Sequence, residues 1–362
     1  MFSNADHDFM ARALRLAEFG LWTTTPNPRV GCVLVKAGKI VGEGWHRRAG
    51  EPHAEIHALQ AAGQAARGAV AYVTLEPCSH FGRTPPCAAA LIDAGVQRVV
   101  AAMEDPNPQV AGRGFAMLRA AGVVVDSGLL EGEARELNIG FVSRMTRRRP
   151  WVRLKMAASL DGRTALANGL SQWITGEAAR LDGHRWRARA CAILTGMGTV
   201  RDDDPQLSVR GVDAERQPQR VVVDNRLELS PAARVLIGGQ VLVATASNDA
   251  VRADALRERG AEVLCLPSIA GKLDLSALME ALAQRGINEL HVEGGRGLSG
   301  ALFAARLVDE LLLYLAPCLI GHQASGLFNL PELQSLSAIP RLAIRDLRLI
   351  GQDVRVLARF QE

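Results

Sequence analysis

The first half of the chain alternates segments of helical and strand periodicity. Apolar residues recur at helical spacing over residues 6–19, and the pattern ends at Gly20. Residues 30–35 and 40–45 predict two strands joined by a tight turn at Gly38. Further helices are predicted at 53–62, 86–94 and 114–121, and further strands at 69–75, 98–102 and 123–125. This alternation predicts a layered α/β domain.

A second alternating pattern follows a basic segment. Residues 144–149 are rich in arginine and precede Pro150, and we interpret them as a solvated linker in preference to a phosphate-binding site. Strands are then predicted at 151–156, 192–195, 220–223, 241–244, 262–265, 289–292 and 310–315. The chain is therefore expected to contain two consecutive α/β domains, residues 1–146 and residues 147–362.

Composition narrows the possible functions. With 362 residues, 48% hydrophobic and 22% charged, the chain has the composition of a globular protein with substantial cores. A net charge of +4 permits an anionic substrate but does not favour a broad nucleic-acid surface. No run of about 18 apolar residues predicts a membrane span, and no signal peptide is recognised. The six cysteines are scattered rather than arranged as a disulfide framework, so a cytoplasmic location is expected.

Four residues form a candidate metal centre. His53 and Glu55 lie at the start of a predicted helix, and Cys78 and Cys87 flank a turn-rich segment between a strand and a helix. One imidazole and two thiolates suit Zn²⁺ and leave a coordination position for water. A carboxylate that is not a ligand, here Glu55, can then move protons, as in the zinc nucleobase deaminases.

Simpler interpretations exist for each of these residues. His-x-Glu is often a surface pair, and both cysteines could be small core residues, but the order of all four residues favours a metal site. Eight residues separate Cys78 from Cys87, whereas the usual deaminase motif has two. His57 has the spacing of a zincin metalloprotease, but Ala54 stands where a zincin needs glutamate, so we interpret His57 as structural.

Longer motifs in the first half resemble one deaminase family. Residues 74–87, 25–31 and 44–46 are similar to the deaminase of riboflavin biosynthesis, within the cytidine deaminase superfamily. The resemblance implies a cytidine deaminase-like α/β/α domain in which Asn27 lies near the zinc and hydrogen-bonds the pyrimidine. Asn27 is also a turn residue between two prolines. Weaker candidates for holding the substrate are His46, His80 and Arg83.

The second half resembles the reductase domain of the same pathway, whose α/β fold is like that of dihydrofolate reductase. The resemblance lies in residues 155–163, 171–175, 198–200, 203–210 and 291–295. Residues 295–300 also have the spacing of a dinucleotide fingerprint between a strand and a helix. The acidic strand end of a true Rossmann domain is missing, so the glycines indicate either pyrophosphate binding at a helix N-terminus or a tight turn.

The resemblance implies two sets of residues in this half. The nucleotide site would be lined by Ala157, Trp173, Thr199, Asp203, Asn225, Gly295, Arg296, Gly297, Leu298, Ser299, Gly300 and Ala301. The substrate would be held by Ser171, Arg187, Leu207, Arg210 and Glu293. Arg187 and Arg210 are suited to a substrate phosphate, which guanidinium binds in a bidentate manner. Lys155 and Asp161 are polar residues near this expected site, and no proton donor is identified.

The whole chain is thus similar to the bifunctional deaminase–reductases of riboflavin biosynthesis. The resemblance implies zinc-dependent deamination of 2,5-diamino-6-ribosylamino-4(3H)-pyrimidinone 5′-phosphate, then NADPH-dependent reduction to 5-amino-6-(5-phosphoribitylamino)uracil. We expect a phosphorylated pyrimidine as ligand, a homo-oligomer, and neither a nucleic-acid nor a membrane partner. A nucleic-acid-editing deaminase would need a basic groove and stacking aromatics, but aromatic residues make up 4%. A non-catalytic zinc protein would leave the open position beside Glu55 unexplained.

Overall fold

The chain divides into two compact units, Met1–Arg148 and Arg149–Glu362. A computed structural model describes residues 2–79, 86–108, 110–330, 332 and 334–361. The candidate substrate residues His80 and Arg83 lie outside these ranges. Within them, no helix has the length and apolar character needed to cross a membrane.

The first unit is a five-stranded sheet with helices packed against it. Its strands run in the order β2-β1-β3-β4-β5; β1 is antiparallel to β2 and β3, whereas β3, β4 and β5 are parallel. The helices are α1 (Asn4–Glu18), α2 (Ala54–Ala62), α3 (Cys87–Asp93), α4 (Arg113–Ala120), α5 (Glu131–Leu137) and α6 (Ile139–Arg147). The strands are β1 (Gly31–Lys36), β2 (Lys39–Trp45), β3 (Val70–Val73), β4 (Arg98–Ala101) and β5 (Val124–Ser127), and a 3-10 helix spans Gly63–Ala66.

Two glycines bring α2 close to the sheet. A Cβ atom at Gly42 would lie 2.3 Å from the Ala58 carbonyl oxygen, and one at Gly44 would lie 2.3 Å from the Ala54 carbonyl oxygen. Only glycine permits so close an approach of helix and strand backbones. The N-terminus of α2, which carries the candidate metal and proton-transfer residues, is thereby held against β2.

The linker interpretation of residues 144–149 is wrong for its first part. Residues 144–147 are the last turn of α6, and the C-cap that follows is Arg148, whose φ is +56°. Phe141 and Ser143 of α6 are buried, and the Arg147 guanidinium donates to Ser143 Oγ at 2.6 Å. The arginines occupy the solvent side of an amphipathic helix, so their charge does not indicate a linker.

The second unit is built on a nine-stranded sheet in the order β11-β10-β9-β8-β14-β6-β15-β18-β17. Its main strands are β6 (Trp151–Ser159), β8 (Ala192–Gly196), β9 (Gln219–Val223), β10 (Val241–Thr245), β11 (Ala261–Cys265), β14 (Glu289–Val292), β15 (Glu310–Ala316), β17 (Leu342–Ile350) and β18 (Asp353–Phe360). Short strands are β7 (Arg163–Ala165), β12 (Ser268–Ile269), β13 (Lys272–Leu273) and β16 (Ser325–Gly326). The helices are α7 (Glu177–Arg189), α8 (Met197–Asp203), α9 (Ala250–Arg257), α10 (Leu275–Gln284) and α11 (Arg296–Ala304), with 3-10 helices at Arg234–Leu236 and Leu336–Ala338.

The parallel part of this sheet sets the position of the second site. The first seven strands in this order, β11, β10, β9, β8, β14, β6 and β15, are all parallel to one another. The last two strands, β18 and β17, complete the sheet in antiparallel pairing. In open α/β sheets, ligands bind beyond the carboxyl ends of the strands. Three of the residues implied for the nucleotide follow these strand ends: Thr199 in α8 directly after β8, Asn225 after β9 and Gly295 after β14.

Candidate active sites

The three candidate metal ligands come together in the first unit. His53 is the N-cap of α2, Cys87 is the first residue of α3, and Cys78 lies in the segment that follows β3. Their ligand atoms all lie within 4.8 Å of one another. His53 Nδ1 is 3.6 Å from Cys78 Sγ and 3.3 Å from Cys87 Sγ. A histidine nitrogen and two thiol sulfurs facing a common point fit the ligand set of a zinc site with one open position.

Hydrogen bonds shift the pKa values of the two cysteine thiols in opposite directions. The Cys87 backbone N–H donates to Cys78 Sγ at 3.3 Å. Hydrogen bonds from Cys87 and His53 lower the pKa of the Cys78 thiol, and they overcome the opposing effect of burial. The neighbouring Cys78 and burial together raise the pKa of Cys87. Of the two thiols, Cys78 is therefore the more acidic.

Glu55 lies beside this cluster but is not part of it. The residue is 3% exposed in the first turn of α2. Burial raises the pKa of Glu55 to about 7, with a further contribution from the charge of Cys78. A buried carboxyl group with this pKa can both accept and donate a proton near neutral pH, which is the property required of a general acid–base.

His46 orients Asn27, the residue expected to hydrogen-bond the pyrimidine. His46 Nδ1 lies 3.2 Å from the Pro52 carbonyl oxygen, which can only accept, so Nδ1 carries the hydrogen. Burial lowers the pKa of His46, so its Nε2 is an acceptor, and it lies 3.1 Å from Asn27 Nδ2. The amide of Asn27 is thereby turned so that its oxygen is the group left for a ligand. The His46 ring also meets the His53 ring edge to face at 5.2 Å.

The glycine run in the second unit begins a helix, as the motif requires. Gly295 is the N-cap of α11, and its N–H donates to Thr199 Oγ1 at 3.0 Å. Gly295, Arg296 and Gly297 are exposed at the helix N-terminus, where an anion is stabilised by backbone N–H groups. Ser299 and Gly300 instead face the interior, and a Cβ at Gly300 would lie 2.4 Å from the Asn329 carbonyl oxygen.

Other residues implied for the nucleotide are spread over several helices, strands and loops. Trp173 is 70% exposed, with the Arg180 guanidinium 4.8 Å from its ring. Asp203 is exposed at the end of α8 and accepts from Gln172 Nε2, whereas Asn225 Oδ1 accepts from the Leu273 N–H. Ala157 is half-buried on β6, Leu298 is half-buried on α11, and Ala301 is exposed on α11.

Glu293 is the centre of a charged cluster directly after β14. Arg187 donates to both of its carboxylate oxygens, at 2.5 and 2.9 Å, and Lys155 Nζ is 3.9 Å away. Burial opposes the charge, but the two cations hold the pKa of Glu293 well below its usual value. His291 Nε2 lies 3.3 Å from Glu293 Oε1.

The structure places two of the residues expected to hold the substrate in or beside this cluster. Arg187 also donates to the Ser208 carbonyl oxygen, so three of its five N–H donors bind the protein, and its contact with the substrate phosphate stays a prediction. Leu207 is 3% exposed and packs in the core with Val200 and Val222, and its expected contact with the substrate also stays a prediction. Ser171 is half-buried and Arg210 is exposed, and both remain accessible.

Asp161 is an anchor rather than a site residue. It accepts hydrogen bonds from Ser159 Oγ, the Gly321 N–H and the Ile320 N–H. The bond from Ser159 is the main reason that the pKa of Asp161 falls to about 2. Two buried neighbours of the sites, Glu76 and His291, were not predicted. Glu76 lies within the motif at 74–87 and His291 within the block at 291–295, but the sequence alone assigned neither residue a role.

Comparison with known proteins identifies the family. The model described as "RibD C-terminal domain" matches residues 150–356, more than half of the chain. The chain belongs to the RibD family. The model described as "Cytidine and deoxycytidylate deaminase zinc-binding region" matches residues 3–103, which contain the His53, Cys78 and Cys87 cluster. The chain is therefore a bifunctional deaminase–reductase of riboflavin biosynthesis, with a zinc-binding deaminase domain and a reductase domain.

Relatives cover both halves. Riboflavin biosynthesis protein RibD of Escherichia coli is 50% identical over 96% of this chain and 98% of its own length. The protein of the same name from Haemophilus influenzae is 48% identical over 98% and 97%. The solved structure of Acinetobacter baumannii RibD, form 1, matches with a TM-score of 0.93 and 43% identity over 99% of each chain. A Thermotoga maritima diaminohydroxyphosphoribosylaminopyrimidine deaminase/5-amino-6-(5-phosphoribosylamino)uracil reductase matches with a TM-score of 0.87 and 34% identity over 99% of each chain.

Proposed function

We propose that residues 1–146 deaminate 2,5-diamino-6-ribosylamino-4(3H)-pyrimidinone 5′-phosphate and that residues 147–362 reduce the product to 5-amino-6-(5-phosphoribitylamino)uracil. One observation carries the first assignment: the buried carboxyl group of Glu55 lies two positions after His53, which converges with Cys78 and Cys87 as a set of metal ligands. We also propose a cytoplasmic homo-oligomer, in keeping with the scattered cysteines and the metabolic role.

In the deamination, His53, Cys78 and Cys87 would hold Zn²⁺. When bound, the ion would lower the pKa of a water molecule towards about 7 and so supply a nucleophile. Glu55 would accept one proton from the attacking water and deliver it to the ring nitrogen. It would then accept the remaining hydroxyl proton and pass it to the leaving amine, so that ammonia departs as the carbon–nitrogen bond breaks and the carbonyl forms. Asn27, held by His46, accepts a hydrogen bond from the pyrimidine and fixes the ring in the reactive orientation.

In the reduction, the helix N-terminus at Gly295–Gly297 binds the nucleotide pyrophosphate through backbone N–H groups. NADPH, when bound there, would supply a hydride for C1 of the ribose. The bond from C1 to the ring oxygen would break, and a proton from solvent would complete the open ribityl chain. Glu293 accepts hydrogen bonds from the ribose hydroxyls, because Arg187 and Lys155 keep it ionised. Arg210, exposed near this cluster through its backbone bond to His184, binds the substrate phosphate.

The test is to incubate the purified, zinc-loaded chain with the diaminopyrimidine phosphate, with and without NADPH. We expect ammonia in both cases and the ribityl product only with NADPH, identified by mass spectrometry. Cys87→Ser is the matched variant: it should lose zinc and ammonia release but still reduce the deaminated intermediate when this is supplied. Zinc-loaded protein that releases no ammonia would contradict the first assignment.

A further inference from the structure

Glu76 lies at the end of the segment that leads from β3 to the metal ligand Cys78. It is 3% exposed, and its carboxylate accepts four backbone N–H groups. Oε1 accepts from Gly114 at 2.8 Å and Phe115 at 3.3 Å. Oε2 accepts from Asp105 at 3.1 Å and Gly112 at 3.0 Å.

Three of these donors belong to the N-terminus of α4. The first N–H groups of a helix have no partner within the helix, and the N-cap residue normally supplies an acceptor from its side chain. The N-cap of α4 is Gly112, which has no side chain. Glu76 supplies the missing acceptor from a segment 36 residues away, and a carboxylate in this position is further stabilised by the helix dipole.

The contact continues along the backbone towards the metal site. A Cβ atom at Gly114 would lie 2.0 Å from the Pro77 carbonyl oxygen, so the start of α4 packs directly against Pro77. The next residue, Cys78, is held from the other side, because its carbonyl oxygen accepts from the Ala88 N–H at 3.2 Å and its sulfur accepts from the Cys87 N–H. Cys78 is therefore fixed between α4 and α3, and its link to α4 passes through Glu76 and Pro77.

We propose that Glu76 is a positioning residue for Cys78 and thereby sets the affinity of the site for zinc. The inference rests on the proposed ligand role of Cys78. Glu76 does not touch the ligand cluster, and it acts through the backbone of the residue that separates it from Cys78. The geometry also explains why a carboxylate is required: each of its oxygens faces two N–H donors, and the amide nitrogen of glutamine cannot accept from either pair.

The test is zinc affinity in the full-length chain, measured by competition with a chromogenic chelator. Partners of metal ligands typically change affinity by about 10- to 100-fold when they are removed, so we expect the zinc Kd of Glu76→Gln to rise by about this factor. The absorption spectrum of the cobalt(II)-loaded variant should shift relative to the parent, because the Cys78 sulfur is displaced. The reduction rate with supplied intermediate should stay unchanged.

Asp6→Asn is the matched control. Asp6 is another buried carboxylate of the first unit, and its hydrogen bonds go to Ser3, Tyr72 and Arg98 rather than to the segment before Cys78. It should lower the stability of this unit but leave the zinc Kd within about twofold of the parent. Glu76→Asp keeps the charge with a shorter reach and should give an intermediate Kd, and it decides the matter if Glu76→Gln does not fold.

The inference is overturned if folded Glu76→Gln binds zinc as tightly as the parent does. If Glu76→Gln does not fold, the same result in Glu76→Asp overturns it. The same holds if Asp6→Asn weakens zinc binding as much as Glu76→Gln does, because the effect would then reflect general stability. A parent chain that binds no zinc would instead contradict the proposed function.

Discussion

Replacing Glu55 with glutamine separates proton transfer from metal binding. The side chains are nearly equal in size, and Glu55 is not in the ligand cluster, so the zinc site should persist. General acid–base catalysis contributes roughly 10²- to 10⁴-fold to a rate. Because Glu55 is 3% exposed, bulk water has little access to act in its place. We therefore expect the upper part of this range, a fall in kcat of about 10³- to 10⁴-fold, or about 4–5.5 kcal/mol in activation free energy.

The assay follows ammonia release by the zinc-loaded chain without NADPH, together with zinc content by metal analysis. KM should change little, since the carboxylate acts mainly in the transition state, and the reduction rate with supplied intermediate should match the parent. The exposed neighbour Glu51 provides a control, and Glu51→Gln should stay within about twofold of the parent. A zinc-replete Glu55→Gln chain that keeps more than about a tenth of the parental rate would refute the role assigned here.

Two further predictions concern charged residues. Arg210→Ala should raise KM for the phosphorylated intermediate by about 10-fold or more in steady-state reduction assays while ammonia release is unchanged; an equal loss with an unphosphorylated analogue would argue against phosphate binding. Burial opposes the charge of Asp6, but hydrogen bonds from Ser3 and Tyr72 and the charge of Arg98 lower its pKa below the ordinary value. Its contribution to stability is therefore present above about pH 4 and is lost as the pH falls through the lowered pKa. In urea unfolding, Asp6→Asn should cost about 1–3 kcal/mol at pH 7, and this difference from the parent should shrink below about pH 4; a difference independent of pH would contradict it.

Local patterns in the sequence predicted much of the secondary structure. The strands predicted at 30–35 and 40–45 correspond to β1 and β2, and the parallel strands of the second unit lie where the β-branched runs indicated. The exceptions are informative. Residues 144–147 are helical because Phe141 and Ser143 bury one face of α6, which a count of arginines cannot show. The hairpin of β17 and β18 was not predicted, since β17 lies at the sheet edge with its apolar residues largely exposed.

For the candidate sites as well, some features could be predicted from the sequence and others could not. His53, Glu55, Cys78 and Cys87 could be selected from the sequence because metal and proton chemistry depends on residue type and order. The ion pair between Arg187 and Glu293 could not be predicted from the sequence. The two residues are 106 positions apart, and only the packing of α7 beside β14 brings them together.

The sequence by itself determined the chemistry of the deaminase site, because a histidine, two cysteines and a glutamate have few other uses in that order and spacing. Tertiary structure alone decided which polar groups are committed to the protein and which are left for ligands. The eight-residue segment between the cysteines is typical of one family. The backbone before Cys78, however, is held in place by α4, which comes later in the chain. Glu76 acquires its role there because a helix with a glycine cap needs an acceptor that its own sequence does not supply.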